Sequence, residues 1–588
     1  MINDNLTSVL YIDLSKKSYE IKERAELFEK YLGGAGVGIQ LLKENTKAGV
    51  DPFDEGNTIV LTVGPLTPFF PLASKTAAFF KSPITKNLGE SHCGGRSAVA
   101  IRTAGYGAIV INGKSSYPVY LDIFNNRVKF KSASMLWGMK NEKTAARVIR
   151  ENTNHGKGIR SIIRIGIAGE NLVSYASVTA ETFRHFGRLG LGAVFGSKNL
   201  KAIAIAGDKT YKAKNVRDYK EVYKKIYNIA VKSEVMKKYH DLGTPVNILN
   251  LNKSKGLPTK NMQKGFTEYS QELSGENIAE KYLGKRRACS HCPVGCIHIA
   301  AHRVEHEKEK YFFKTNMVGY DFELIFSLGT MLELKDAGHL LHLIEAVETT
   351  GMDAMSAGVV LAWATEAMEK GFITQKDTDG LKIVWSDYKT YLAVIKNISI
   401  GKNNFYKALG KGCDYASSVY GGADFAMAFG KNETPGYTTG PATFVGCLIG
   451  ARHSHLDNGG YGVDQTEFVK AGKVTMAPEK LAELLIKEEA WRQILSSLHV
   501  CFFARGVFTP AIVSEALASL GINIDKDDLQ AIGMEILKQK YLYKYREGFE
   551  LEGIRIPGRI FEKGITPVDN WDENYVRKAV KRAKEILV

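Results

Sequence analysis

The sequence predicts an α+β chain: a β-rich N-terminal region over residues 1–210, then two mainly α-helical regions over residues 211–420 and 421–588. Three observations predict it. Short β-prone apolar runs bounded by glycine dominate the first part. Apolar residues three and four apart dominate the rest. The 57 glycines fall in pairs and clusters rather than in a repeat, which marks tight turns and close approach of backbone to a ligand rather than a linker.

In chain order, Val9–Asp13, Thr58–Val63 and Ala108–Asn112 read as short strands, and Tyr117–Phe130 as a hairpin turning at Asn125-Asn126. Ser161–Ile167 and Lys201–Ala206 add two apolar strands, and few helices are expected among them. Beyond residue 210, Val216–Tyr239, Glu333–Thr350, Ser356–Lys370 and Pro478–Leu498 carry helical apolar spacing. Gly351 and Gly371 stand where helix-ending glycines belong. Pro435–Gly462 is rich in Gly, His and Asn without periodicity and reads as a long functional loop. The string Gly33-Gly-Ala-Gly36-Val-Gly38 lacks a leading strand and follows a helical Ala25–Tyr31, so it fails the context a dinucleotide site requires.

A formal charge of +16 and a sequence pI near 9.2 suit an acidic partner. The cations are scattered, without an Arg-rich arm or interleaved aromatics, so nucleic acid is not expected. No apolar run is long enough to span a bilayer, and no secretory signal is evident, so a cytoplasmic location is expected.

Seven cysteines, an odd number with three inside eight residues, point to a metal site rather than disulfides. Cys289-Ser-His-Cys292-Pro-Val-Gly-Cys296 has C-x2-C-x3-C spacing, and Pro293 and Gly295 favour the curl that brings three thiolates together. Soft thiolates select zinc, copper(I) or iron–sulfur clusters. Zinc would need His291, His298 or His302 as a fourth ligand, and no second short pair exists. A cubane takes a fourth cysteine from a distant segment. Spacing favours the cluster and leaves the fourth cysteine undecided.

Further motifs agree in order and spacing with one family. Gly64-Pro65-Leu66-Thr67, Lys81-Ser82-Pro83-Ile84-Thr85, Gly94-Gly95 and Ala104-Gly105-Tyr106-Gly107-Ala108-Ile109-Val110 precede the cysteines. Gly187-Arg188-Leu189-Gly190-Leu191-Gly192 and Gly196-Ser197-Lys198-Asn199-Leu200 follow the same order. On these residues, from about 8 to about 510, the chain resembles the aldehyde ferredoxin oxidoreductase family. The resemblance implies a pterin-binding N-terminal domain and tungsten, or molybdenum, held by the dithiolenes of two pyranopterins. It further implies Mg2+ bridging the pterin phosphates, and a [4Fe-4S] cluster on Cys289, Cys292, Cys296 and Cys501. Glycine-turn backbone and basic side chains hold phosphates. That suits Gly94, Gly95, Arg184, Gly187 and Arg188, with the flanking His92, Cys93 and His185.

Two family pterin motifs match Glu348-Thr-Thr-Gly351-Met-Asp353 and Ser496-Ser-Leu-His499-Val500-Cys501. The first departs conservatively. The second keeps its cysteine and loses Asp and Gly, so Ser496 and Val500 stand at altered positions. Lys75 replaces an arginine that links pterin and cluster, keeping charge but not the bidentate fork. The family's glutamate and histidine beside the metal match Glu323 and His455, with His453 as the other candidate in the His-Ser-His tract.

The implied activity is oxidation of a small aldehyde to its acid, with electrons passing to ferredoxin or an iron–sulfur subunit. The resemblance also admits a homodimer. Two alternatives stand beside it: a low-potential tungsten or molybdenum reductase in a larger complex, acting for example on an aromatic acyl thioester, and a zinc-stabilised binding protein.

Overall fold

The computed structural model describes residues 6–139, 141–153, 158–181, 183–306 and 309–588. Two six-stranded sheets build the N-terminal region. The first contains β1 (Ser8–Asp13), β2 (Ser18–Glu23), β3 (Ile59–Thr62), β4 (Thr76–Lys81), β5 (Leu88–Cys93) and β6 (Ala108–Asn112), in the order β2-β1-β6-β3-β4-β5. The second contains β7 (Val119–Phe124), β8 (Arg127–Ser132), β9 (Arg160–Ile165), β10 (Val178–Ala180), β11 (Arg184–Phe186) and β12 (Leu200–Ala206), in the order β11-β10-β9-β12-β7-β8. The strands β3, β4 and β12 are buried at every position, which is why they read as unbroken apolar runs. The expected hairpin pairs Phe124 with Arg127 across Asn125-Asn126.

Beside the expected helix Ala25–Tyr31, the N-terminal region holds unexpected helices, among them Gly34–Asn45, Ser97–Ala104, Glu142–Asn152 and Leu191–Ser197. Gly34–Asn45 was hidden by its glycines, which have low helix propensity. They are there for space: a Cβ on Gly38 would stand 2.2 Å from the Phe79 ring. The helix is thereby pressed flat on β4.

Beyond residue 210 the chain is mainly helical. The expected Val216–Tyr239 helix is two helices, Val216–Lys232 and Glu234–Asp241. Ser233 between them is extended and accepts from the Met236 N–H, capping the second. Helices Ala337–Thr350, Ala354–Glu369 and Pro478–Ser497 lie within about four residues of expectation. Gly351 and Gly371 have φ of +79° and +77°. The expected long loop Pro435–Gly462 contains a helix, Pro441–Ile449, buried at all nine positions. A helix with no polar face has no periodicity to read.

A third sheet lies between the halves: β13 (Leu283–Arg287), β14 (Ile297–His306) and β15 (Glu309–Tyr320), in antiparallel order β13-β14-β15. It brackets the cysteine loop. No helix among the described residues is long and apolar enough to cross a membrane.

Candidate active site

Two segments two hundred residues apart meet at Leu72. Its N–H donates to the His291 carbonyl at 3.2 Å, and its carbonyl accepts from the Cys501 N–H at 2.9 Å. Cys501 is thereby fixed against the loop that bears Cys289, Cys292 and Cys296. All four cysteines are partly exposed. Burial pushes the Cys292 thiol up to about 12, and the thiols of Cys501, Cys289 and Cys296 add to the shift. Cys296 is pushed up to about 11, again chiefly by burial. The remaining cysteines sit elsewhere: Cys93 is buried and donates to the Gly94 carbonyl, Cys413 lies beside Glu433, and Cys447 is in the helical core.

Positive charge backs the quartet. Burial alone would lower the Lys75 ammonium, but the Cys501, Cys289 and Cys296 thiolates outweigh it and the net shift is upward. Arg184 behaves likewise toward Cys289 and Cys296. Gly94 permits this approach, since a Cβ there would lie 2.8 Å from the Cys289 Sγ and 3.3 Å from the Lys75 Nζ. Gly95 has φ +101°, and its carbonyl accepts from the Ser290 N–H at 2.9 Å. The glycine pair therefore packs against the cysteine loop.

Beside the quartet opens a cavity of about 500 Å³. His92, Arg184, His185, Gly187 and Arg188 line one side, with Glu348 and Asp353. Arg188 is clamped: Nε stands 3.2 Å from Asp353 Oδ2, and Nη2 donates to Asn432 Oδ1 at 2.5 Å and to the Glu433 carbonyl at 2.8 Å. Asp353 also caps the helix Ala354–Glu369 by accepting from the N–H groups of Met355 and Ser356. Ser356 Oγ bridges onward to Glu433 at 2.7 Å. Asn432, Ser356 and Glu433 went unseen in the sequence, where nothing local marks them.

Lys143 Nζ is shared between Glu345 at 3.1 Å and Glu348 at 3.3 Å. Burial pushes the Glu348 carboxyl up to about 7 despite that lysine. His185 Nε2, 4.0 Å from Glu348 Oε1, and Arg184 Nε are buried without a hydrogen-bond partner. His92 Nε2 is 2.7 Å from Glu90 Oε1, which is paired in turn with Lys540.

Opposite stand Glu323 and His455. Glu323 lies in the first turn of Phe322–Leu328, which Asp321 caps by accepting from the Leu324 N–H. His455 opens the short helix His455–Asn458, held by a Ser454/Asp457 capping box. The two side chains meet at 3.1 Å, His455 Nε2 to Glu323 Oε1. The Gly436 N–H donates to Glu323 Oε2 at 3.1 Å. Burial, reinforced by Asp321, pushes Glu323 up to about 8. Burial, reinforced by Arg188, Arg492 and Arg452, pushes His455 down to about 3. Near pH 7 both are predominantly uncharged.

An aromatic wall flanks the pair. Tyr437 stacks on Tyr461 with centroids 4.4 Å apart and lies 5.2 Å from the Phe322 ring. Tyr239 stacks on Phe503 at 4.4 Å, in the wall toward Cys501.

Eight expected pterin-binding or catalytic residues do not line the cavity: Lys75, Cys93, Gly94 and Gly95, which pack on the cysteine side, and Gly351, His453, Ser496 and Val500. His453 is buried with Nδ1 3.1 Å from the Cys447 carbonyl and Nε2 2.9 Å from Lys544 Nζ. Ser496 and Val500 are buried; the Ser496 carbonyl lies where a Cβ on Gly34 would come within 2.3 Å. Gly351 packs on Gly166 and accepts from the Ser177 N–H at 2.9 Å.

Among the described residues, no three His, Cys, Asp or Glu side chains converge tightly enough to hold a single metal ion. The number and softness of the four thiols fit an iron–sulfur group. The unpartnered Arg184 and His185 nitrogens, and the open space over Gly187, fit a cofactor bound in the cavity.

The site is a thiol quartet beside a cavity that holds a buried carboxyl–imidazole contact. The chain belongs to the aldehyde ferredoxin oxidoreductase family. Residues 9–207 match "Aldehyde ferredoxin oxidoreductase, N-terminal domain", and residues 221–585 match "domains 2 & 3" of the same family. It is 30% identical over 556 residues to the tungsten-containing aldehyde ferredoxin oxidoreductase of Pyrococcus furiosus, covering 92% of this chain and 88% of that one. It is 28% identical over 424 residues to a Pyrococcus furiosus aliphatic sulfonate oxidoreductase, WOR-like subunit, covering 69% and 65%. In fold it resembles a chain of the benzoyl coenzyme A reductase active-site complex BamBC, with a TM-score of 0.83 at 20% identity over 99% and 94% of the two chains. The protein is an oxidoreductase of a family that carries tungsten–pterin and iron–sulfur cofactors. The zinc-stabilised binding protein is set aside.

Proposed function

We propose that the protein oxidises aldehydes to carboxylic acids at tungsten held by two pyranopterins. Cys289, Cys292, Cys296 and Cys501 would hold a [4Fe-4S] cluster, which would supply a one-electron outlet toward ferredoxin. The observation that supports this most is the Glu323–His455 contact inside the cavity that adjoins the thiol quartet. When bound, the tungsten–pterin unit supplies the two-electron acceptor.

The chain's own residues handle position and protons. The conversion takes oxygen from water and releases protons, so a base whose pKa lies near the working pH is required. Glu323, raised to about 8, meets that need, with its second oxygen fixed by the Gly436 N–H. His455 stays neutral and accepts from the protonated form of Glu323. Tyr437 and Tyr461 shield the pair from bulk water. Arg184, His185, Gly187, Arg188, Glu348 and Asp353 would hold one pterin, with Gly351 shaping the turn before Asp353 and Lys75 adding positive charge on the cluster side, and Mg2+ would supply charge to balance the phosphates. Gly94, Gly95, His92 and Cys93 would border the cluster side, while Ser496 and Val500 act only through packing, the Ser496 carbonyl lying against Gly34.

The second reading, a low-potential reductase of an aromatic acyl thioester, is supported by the segment Ser496–Cys501. His499 fills a family glycine position there, buried and 3.5 Å from Thr62 Oγ1. Elemental analysis for tungsten, molybdenum, iron and zinc, joined to aldehyde-dependent viologen reduction across chain lengths, tests both. Tungsten, iron and aldehyde activity are expected. Zinc alone would end both readings, and a metal-loaded protein inert toward every aldehyde would favour the reductase.

A further inference from the structure

An electron outlet must lie near the surface, and the segment that carries three of the cysteines has charge of a single sign. Residues 281–304 contain Lys281, Lys285, Arg286, Arg287 and Arg303 and no carboxylate. The strand β13 runs into the cysteine loop and is the edge strand of its sheet. Its Lys285, Arg286 and Arg287 are all exposed, as is His291 between the first two cysteines.

Alternation along a strand puts Lys285 and Arg287 on one face and Arg286 on the other. Arg286 serves the fold, donating to the Asp241 carbonyl at 3.1 Å. Lys285 and Arg287 make no ion pair among the described residues. The helix Glu234–Asp241 flanks the loop, with His240 Nδ1 2.7 Å from the Val294 carbonyl. It adds exposed Lys237 and Lys238, with its acids Glu234 and Asp241 at its two ends. The same sheet bears Tyr311 and Phe312, exposed by 92% and 66%. Exposed aromatics with arginine are the residue types on which protein partners anchor.

We infer that the face formed by β13 and the cysteine loop docks an acidic one-electron carrier protein, with Lys285 and Arg287 as its main charged contacts. This rests on the proposed electron route, since it names where that route leaves the chain. Complementary charge steers such encounters and weakens with salt. Charge on an edge strand also guards against strand pairing, and the test must separate the two roles.

The holoenzyme and its Lys285→Glu/Arg287→Glu variant are titrated with a small acidic ferredoxin, with calorimetric Kd read at low and high salt. Viologen reduction is measured alongside. The variant should bind at least tenfold more weakly at low salt, with the gap closing at high salt and the viologen rate unchanged. Lys285→Arg/Arg287→Lys should keep the wild-type Kd. An unchanged Kd in the charge-reversed variant overturns the inference and leaves these cations as guards of the strand edge. Heparin is the control polyanion: equal affinity for it, lost equally in the variant, would make the face a general anion patch and also overturn it. Binding is read directly, so failure to oxidise aldehydes would refute the proposed substrate without touching this result.

Discussion

The two ends of the cavity solve opposite problems. At the cysteine end the donors are close in sequence, three in eight residues, and partly exposed. Lys75 and Arg184 keep that end charged. At the other end Glu323 and His455 come from segments more than a hundred residues apart, and burial drives both toward their uncharged forms. Electrons can leave through a surface-near site, because a partner protein collects them. Protons are held where water is excluded and pKa values can be set by burial. The comparison teaches that charge is kept beside the four thiols and removed at the Glu323–His455 contact.

Breaking the cysteine end should have the largest effect. Cys501→Ala is expected to abolish cluster iron, read by metal analysis and electron paramagnetic resonance, together with aldehyde-dependent viologen reduction. Cys413→Ala should keep both. Equal iron loss in the two would remove Cys501 from the ligand set.

At the other end, Glu323→Gln should lower kcat by about 10²–10⁴-fold with metal content intact, the range for loss of a positioned acid–base group. A drop under threefold would take the base role from Glu323. The pH profile sharpens this. Glu323 is raised to about 8, so it is mainly protonated below that pH and ionised above it. If the ionised form is the working base, kcat of the wild type rises with pH through about 8, and the Gln variant loses that limb. A wild-type rate falling over the same range would mean the protonated acid does the work.

The smallest effect separates the two histidines. His453→Ala should leave kcat within a few-fold and lower stability by about 1–3 kcal/mol, since Lys544 loses a buried partner. His455→Ala should do the reverse. Thermal melts and kcat on the two variants check it.

What was legible follows from where each signal resides. The cysteine triplet is local, so spacing exposes it. Its fourth member is joined through Leu72 backbone, and only the family resemblance named Cys501. Buried strands such as β3 and β12 announce themselves by apolar runs, and Gly351 by its place after an amphipathic helix. The helix Gly34–Asn45 was hidden because the glycines that let it press on Phe79 are poor helix formers. Pro441–Ile449 was hidden because burial on all sides erases the 3.6-residue period. The clamp on Arg188 from Asn432 and Glu433 depends on contacts across more than two hundred residues, which no local pattern encodes.

The bridging of two cysteine segments by Leu72 also orders the protein's biogenesis. During synthesis Cys289, Cys292 and Cys296 leave the ribosome some two hundred residues before Cys501. Contacts of such sequence separation form late, after shorter loops have closed. If the four thiols ligate one cluster as proposed, its ligand set is complete only once Leu72 and the segment around Cys501 have docked. A chain stalled or truncated before Cys501 is left with an incomplete ligand set, so full iron loading reports that the distant segments have found each other.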